Sequence, residues 1–139
     1  MKTMLLFLVL ATLFVSCKTE QLALTPTYNK GGYTFKIHKS RYLAAQDSIY
    51  VGGSIFDVNT KELLEVGKIE LGCSSSNNLN NYSFRMHNWD IAVPVTAKYV
   101  GYLTVETAPF ITQAGDSIVV NFYLAPDEKP LLNCEGSFN

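Results

Sequence analysis

Apolar and polar residues alternate along most of the chain after residue 31, and this period of two predicts β-strands, because successive strand side chains point to opposite faces. The pattern begins with Tyr33, Phe35 and Ile37, which are separated by polar residues. The most regular alternation comes near the end of the chain, at Ile118, Val120, Phe122 and Leu124. The pattern predicts an all-β protein.

The alternation falls into about seven short segments separated by turn-forming residues. They cover 33–38, 49–56, 66–71, 82–86, 91–99, 102–106 and 118–124. The polar run Ser74–Asn78 is predicted to be a loop, and Gly52-Gly53 inside the second segment indicates a bulge or a close backbone approach. About seven short strands without an amphipathic helix favour a two-sheet β-sandwich, whose inner faces alone are apolar.

The first sixteen residues have the pattern of a secretory signal peptide, with Lys2 before an apolar stretch that ends at Ser16. The segment 14–17, Phe-Val-Ser-Cys, resembles a bacterial lipobox, in which cleavage before the cysteine is coupled to lipidation of its thiol; Phe14 departs from the usual leucine. We therefore expect a signal peptide at 1–16 and a membrane anchor at Cys17. The alternative is an ordinary signal peptide that is cleaved elsewhere.

Anchoring at Cys17 leaves Cys73 and Cys134 as an even pair in an oxidising compartment, where a disulfide between them is one hypothesis. Two separate buried thiols are the other hypothesis, and the sequence leaves both open. Together with His38 and His87, these cysteines lack the spacing of zinc ligands, so no metal site is expected.

The domain organisation follows from the composition of the chain after the leader. Residues 17–30 are polar and turn-prone and are predicted to be a flexible tether, while 31–139 form the β-sandwich domain. Removal of Lys2 leaves ten basic residues against twelve acidic ones, a net charge of −2. No basic run remains to follow a phosphate backbone, so nucleic acid is not an expected partner.

The segment 51–72, VGGSIFDVNTKELLEVGKIELG, resembles the opening of carboxypeptidase regulatory-like domains. YSFRM at 82–86, KYVGYLTVE at 98–106 and SIVVNFYLAPDEKPL at 117–131 are similar to later strands of that family. The resemblance covers about 49–131, although the family's Thr-Asp-x-x-Gly turn before YSFRM is replaced by a Ser/Asn loop. It implies a Greek-key, transthyretin/prealbumin-like (Ig-like) sandwich of the kind found in exported Bacteroidota-type proteins.

The chain carries no Gly-x-Ser-x-Gly, His-Glu-x-x-His or glycine-rich phosphate-loop motif, so neither an enzyme nor a cofactor is expected. The remaining candidate for binding is His87-Asn88-Trp89-Asp90, where an aromatic side chain beside imidazole, amide and carboxylate groups could hold a glycan or a partner. The alternative is that Trp89 fills the core.

Two three-residue segments, Asp47-Ser48-Ile49 and Asp116-Ser117-Ile118, resemble the O-glycosylation sequon of Bacteroidota-type envelope proteins. The resemblance implies Ser48 and Ser117 as acceptors. The alternative is that each segment is simply a turn that enters a strand.

These observations predict a non-catalytic lipoprotein of the cell envelope that serves as an interaction or accessory module of an envelope assembly. Lys18 after Cys17, in place of aspartate, favours export to the outer membrane, with the membrane face undecided. A surface lipoprotein that binds a glycan or small ligand is the alternative, and an uncharacterised hydrolase is a third hypothesis.

Overall fold

The computed structural model describes residues 23–78, 80–88 and 90–129. Within these ranges the chain forms ten strands and one short helix. In chain order they are β1 (Thr25–Pro26), β2 (Gly32–Lys39), α1 (Arg41–Ala44), β3 (Ser48–Gly53), β4 (Ile55–Asp57), β5 (Gly67–Leu71), β6 (Ser74–Asn78), β7 (Tyr82–His87), β8 (Val95–Lys98), β9 (Val105–Glu106) and β10 (Asp116–Leu124). The prediction of an all-β protein is confirmed.

The strands form two sheets. In the larger sheet the order is β1-β2-β10-β3-β7, and β4 also pairs with β10; in the smaller sheet it is β6-β5-β8-β9. β3 and β4 run parallel to β10, whereas β2 is antiparallel to β10 and β7 is antiparallel to β3. The two sheets pack face to face as a β-sandwich, as the alternation predicts.

The core lies between the sheets and follows the period of two. β10 alternates buried and half-buried residues along its whole length, which places Phe122 and its apolar neighbours inside. The smaller sheet contributes Ile69, Leu71, Val95, Ala97 and Val105, all of them buried. Burying each large aliphatic or aromatic side chain of this kind contributes about 1.5–3 kcal/mol.

The strand predicted at 49–56 is divided at Ser54 into β3 and β4, because the backbone of Gly53 passes directly against β10. A Cβ atom on Gly53 would overlap the carbonyl oxygen of Val120. Ser54 fills the gap in the ladder: its N–H donates to Asn121 Oδ1 (3.1 Å), and its carbonyl accepts from the N–H of Phe122 (2.9 Å). The predicted close approach is confirmed.

The prediction of a loop at Ser74–Asn78 is wrong. These residues form β6, which pairs with β5 from Leu71–Ser74 to Gly67–Asn78. β6 is an edge strand, and Ser75 and Asn77 are exposed, so polar side chains are compatible with strand pairing there.

The described part of the chain has ten strands, more than the predicted seven. Several of them are too short to show an alternation of apolar and polar residues. β1, only two residues long, falls inside the segment predicted as a tether and pairs with Gly32 and Tyr33. Residues 17–22 of that segment lie outside the described residues. The four-residue helix α1 was also not predicted; the Ser40 side chain caps it by accepting from the N–H of Leu43 (3.4 Å).

Candidate functional site

The outer face of the larger sheet carries a groove of about 620 Å³. We call it the aromatic groove. It is lined by Ala23, Leu24, Thr34, Phe56, Lys61, Asn121 and Tyr123. The strand register brings distant segments together here, because Tyr123 pairs with Phe56 and Asn121 pairs with Thr34.

Two aromatic rings form the floor of the groove. Phe56 and Tyr123 stack with their ring centroids 5.3 Å apart and an interplanar angle of 22°. The ammonium group of Lys61 lies 5.2 Å from the centroid of the Tyr123 ring, a cation–π distance. A flat apolar surface beside a cation and the polar side chains of Thr34 and Asn121 can stack a ligand and fix its orientation.

Asp57 shapes the turn that carries Lys61. Its side chain is buried, and its Oδ1 atom accepts from the N–H groups of Asn59 (2.6 Å) and Thr60 (2.9 Å). The backbone N–H of Lys61 also donates to the Asp57 carbonyl (3.0 Å), which closes the turn. The Asp57 turn therefore holds Lys61 beside the groove.

A second hydrogen bond ties this turn to another loop. The Tyr102 hydroxyl donates to Asp57 Oδ2 (2.9 Å). The N–H of Thr60 is the main cause that holds the pKa of Asp57 below its usual value. Donation to the Asp57 carboxylate raises the pKa of Tyr102. Asp57 is thus an ionised structural carboxylate.

His87 and Asn88 of the site predicted at 87–90 lie at the opposite end of the larger sheet from the aromatic groove. His87 is exposed at the end of β7 and pairs with Ser48. The side chain of Asn88 bonds within the protein, since its Oδ1 accepts from Thr112 (2.9 Å) and its Nδ2 donates to the exposed Asp90 (3.3 Å). The backbone N–H of Asn88 donates to the Asp47 carbonyl (3.1 Å).

Trp89, the centre of that hypothesis, lies outside the described residues. A ligand site at 87–90 therefore remains a prediction.

The two sequon serines are both strand residues. Ser48 begins β3, is 8% exposed and donates its hydroxyl to the Gln46 carbonyl (3.0 Å). Ser117 is half-buried in β10, between His38 of β2 and Tyr50 of β3. Glycosylation at either serine remains a prediction, and a transferase would reach them more easily before the chain folds.

Of the three cysteines, only Cys73 belongs to the described part of the chain. It is exposed in the turn between β5 and β6, so the alternative of a buried thiol is wrong at this position. Cys17 and Cys134 lie outside the described residues, so the anchor and the disulfide remain predictions.

Within the described ranges, no three His, Cys, Asp or Glu side chains come together in a group that could hold a metal ion. Nor does any helix of those ranges have the length and apolar character needed to cross a membrane.

No protein-family model matches the chain, and no curated protein matches it. Among solved structures, one similar chain is a Bacteroides fragilis NCTC 9343 protein of unknown function that is described as membrane-associated. The two chains are 22% identical, with a TM-score of 0.48. The match covers 60% of this chain and 30% of the Bacteroides chain, so this protein spans less than a third of that length.

Proposed function

We propose that the protein is a non-catalytic, lipid-anchored protein of the outer membrane that serves as an interaction module of a cell-envelope assembly. The aromatic groove carries this proposal. Aromatic side chains and a few convergent polar groups are the lining that binding sites prefer, and Phe56, Tyr123 and Lys61 provide that lining on the outer face of the larger sheet. A rigid sheet holds the two rings, and a hydrogen-bonded turn holds the cation.

The position of the groove supports an envelope partner. Ala23 lines it, and only five residues lie between Ala23 and the proposed anchor at Cys17. An extended chain rises at most about 3.6 Å per residue, so a lipid on Cys17 would keep the groove within roughly 20 Å of the membrane. A partner embedded in or bound to that membrane would be within reach.

We also propose that the domain is a Greek-key, transthyretin/prealbumin-like sandwich of the carboxypeptidase regulatory-like family. The sheet orders β7-β3-β10 and β6-β5-β8-β9 support it, as does the parallel pairing of β3 with β10. The chain crosses from one sheet to the other between β6 and β7, between β7 and β8 and between β9 and β10, as Greek-key connections do.

Site-specific crosslinking in the native envelope tests the interaction module. A photoreactive phenylalanine analogue would replace Lys61 in the groove, and in a control variant it would replace Lys68 on the outer face of the smaller sheet. We expect one dominant envelope protein to crosslink to position 61 and not to position 68. The same crosslink should weaken in a Tyr123→Ala background. Equal labelling from both positions would overturn the proposal.

The anchor is tested separately with Cys17→Ala. We expect this variant to leave the membrane fraction, while Cys73→Ala stays in it. If the Cys17→Ala protein remains membrane-bound and its N-terminus carries no lipid, the proposed anchor is wrong.

A glycan- or small-ligand-binding lipoprotein is the second candidate, and the stacked Phe56–Tyr123 pair favours it, because sugar rings pack against flat aromatic faces. Calorimetry against envelope polysaccharide fragments would decide. Saturable binding that is lost in Tyr123→Ala, together with no protein crosslink from position 61, would favour this function over the protein-partner one.

A further inference from the structure

Among the residues that the structure describes, the outer edge of β2 is unpaired along most of its length. β1 pairs with β2 only at Gly32 and Tyr33, whereas β10 pairs with the other side of β2 as far as Lys39. No strand of the described ranges pairs with the outer edge from residue 34 to residue 39. An open edge of this length is a template for an added strand.

The backbone directions show which groups face that edge. The N–H of Thr27, next to β1, donates to the Gly31 carbonyl (2.9 Å), while on the other side the N–H of Ser40 donates to the Gly115 carbonyl (2.7 Å). Because successive residues of a strand turn their backbone groups to opposite neighbours, odd-numbered residues of β2 face the open edge. The N–H and C=O groups of Phe35, Ile37 and Lys39 therefore point away from β10.

The side chains along the edge differ between the two faces of the sheet. On the core-facing side Ile37 is 46% exposed, and Phe35 packs edge-on against Phe110, with ring centroids 4.9 Å apart. On the outer face Lys36 and His38 are exposed. The edge thus offers apolar contact on one face and the cation of Lys36 beside a polar imidazole on the other.

We propose that the β2 edge binds an extended segment of an envelope partner in which apolar residues alternate with acidic ones. The apolar residues would cover Ile37, and an acidic residue would lie opposite Lys36, where opposite charges on neighbouring strands stabilise pairing. This inference rests on the proposed interaction function and names the kind of partner segment that the module takes.

A second copy of this chain suits the edge less well. Two β2 edges placed side by side would put Lys36 of one copy on the same face of the joined sheet as Lys36 of the other, and like charges on adjacent strands oppose pairing. Lysines on an edge strand therefore favour an acidic partner over self-association.

The test uses the full mature domain and a synthetic peptide of about nine residues, the length of a typical strand, that alternates valine with glutamate. We expect saturable binding and at least about tenfold slower amide hydrogen exchange at Phe35, Ile37 and Lys39 by NMR. The exchange of Lys36 and His38, whose N–H groups face β10, should change little. Binding without protection of the edge amides would overturn the proposal, as would no binding at about 1 mM peptide, the weakest useful affinity.

Two peptide controls separate the backbone from the charge. A peptide that is N-methylated at the residues whose N–H groups would face β2 cannot donate the hydrogen bonds of the ladder, so it should not bind. A peptide with lysine in place of glutamate should bind at least about tenfold more weakly, a loss of roughly 1.4 kcal/mol. Equal binding of the lysine peptide would show that charge does not select the partner.

Two protein variants complete the test. Ile37→Pro removes an N–H that faces the open edge and leaves the ladder with β10 intact, so it should abolish peptide binding while the fold is kept. Lys36→Glu should weaken binding of the glutamate peptide and strengthen binding of the lysine peptide. This second variant tests the proposal even if Ile37→Pro does not fold.

Sedimentation without peptide measures self-association. A dimer that Ile37→Pro dissociates would overturn the choice of a partner segment in favour of a second copy. Failure of the edge tests with a retained crosslink at position 61 would leave the interaction function standing and remove only this inference.

Discussion

At the scale of single residues, Asp57 holds the turn that carries Lys61 beside the aromatic groove. Asp57→Ala leaves two backbone N–H groups and the Tyr102 hydroxyl without their acceptor. We expect a loss of roughly 1–3 kcal/mol in the free energy of unfolding, measured with urea at pH 7. Tyr102→Phe is the matched control. It removes one hydrogen bond only, and a loss as large as that of Asp57→Ala would contradict this account.

Asp57 also predicts a dependence of stability on pH. Its pKa in the folded protein lies below the usual 3.8, so the folded state favours the charged form. The contribution is complete above that usual value, and it is lost as the pH falls through the lower pKa of the folded state. Urea titrations of the parent protein and of Asp57→Asn, at neutral pH and in acid, should show a smaller acid-induced loss in the variant. Parallel losses in the two proteins would rule out this role.

Glu70 permits a direct measurement on the smaller sheet. Hydrogen bonds from two lysines lower the pKa of its carboxyl to about 2. The bond from Lys68 (2.7 Å) is the largest cause, and the bond from Lys98 (2.6 Å) is the second. Lys98→Ala should raise this pKa toward the usual 4.5, because one of the two ammonium partners is gone. A carboxyl carbon NMR titration measures the shift. Lys30→Ala, which removes a cation from a separate surface ion pair, should leave the Glu70 titration unchanged.

At the scale of elements, the passage of β3 into β4 depends on Gly53. Gly53→Ala would push a methyl group into the Val120 carbonyl of the central strand, so the two strands would have to separate. We expect a loss of at least about 3 kcal/mol or no folding, since strain in a packed core typically costs 1–3 kcal/mol or more.

Gly101→Ala is the control for Gly53→Ala. Gly101 has a φ of +80° but no atom within 4 Å of the added Cβ, so only the backbone conformation is penalised, by about 1 kcal/mol. Thermal unfolding of both variants separates steric overlap from backbone strain. Equal losses would show that overlap with β10 is not what requires a glycine at position 53.

The sequence predicts best those strands that bury one face in the core. β10 lies between β2 and β3, its inner side chains are fully buried, and its alternation is complete. β6 cannot be predicted in the same way, because apolar and polar residues alternate only where one face of a strand is buried in a core. Its serines and asparagines do not alternate with apolar residues, and β6 forms through backbone pairing with β5.

At the scale of the whole molecule, the aromatic groove shows why a site can be missed. Its lining comes from positions 23–24, 34, 56, 61, 121 and 123, which are neighbours only after the sheet has formed. A signal was nevertheless present. Phe56 and Tyr123 are aromatic residues at positions where the alternation expects outward-facing polar side chains, and large apolar residues on an outer face often mark a binding surface.

Adjacent residues of β10 belong to different parts of the domain, the core and the proposed binding groove. Phe122 is fully buried among the core residues of both sheets, whereas Tyr123 points outward into the groove. Phe122→Ala should cost about 3–5 kcal/mol, because it leaves a cavity in the core, while Tyr123→Ala should cost about 1 kcal/mol or less. Urea unfolding should give coincident transitions by circular dichroism and by fluorescence for both variants, as a single shared core requires. If Phe122→Ala instead unfolds in two separate steps, the two sheets are stabilised independently of each other. A loss of binding in Tyr123→Ala could then come from a disturbed larger sheet, and it would no longer identify the groove as the binding site.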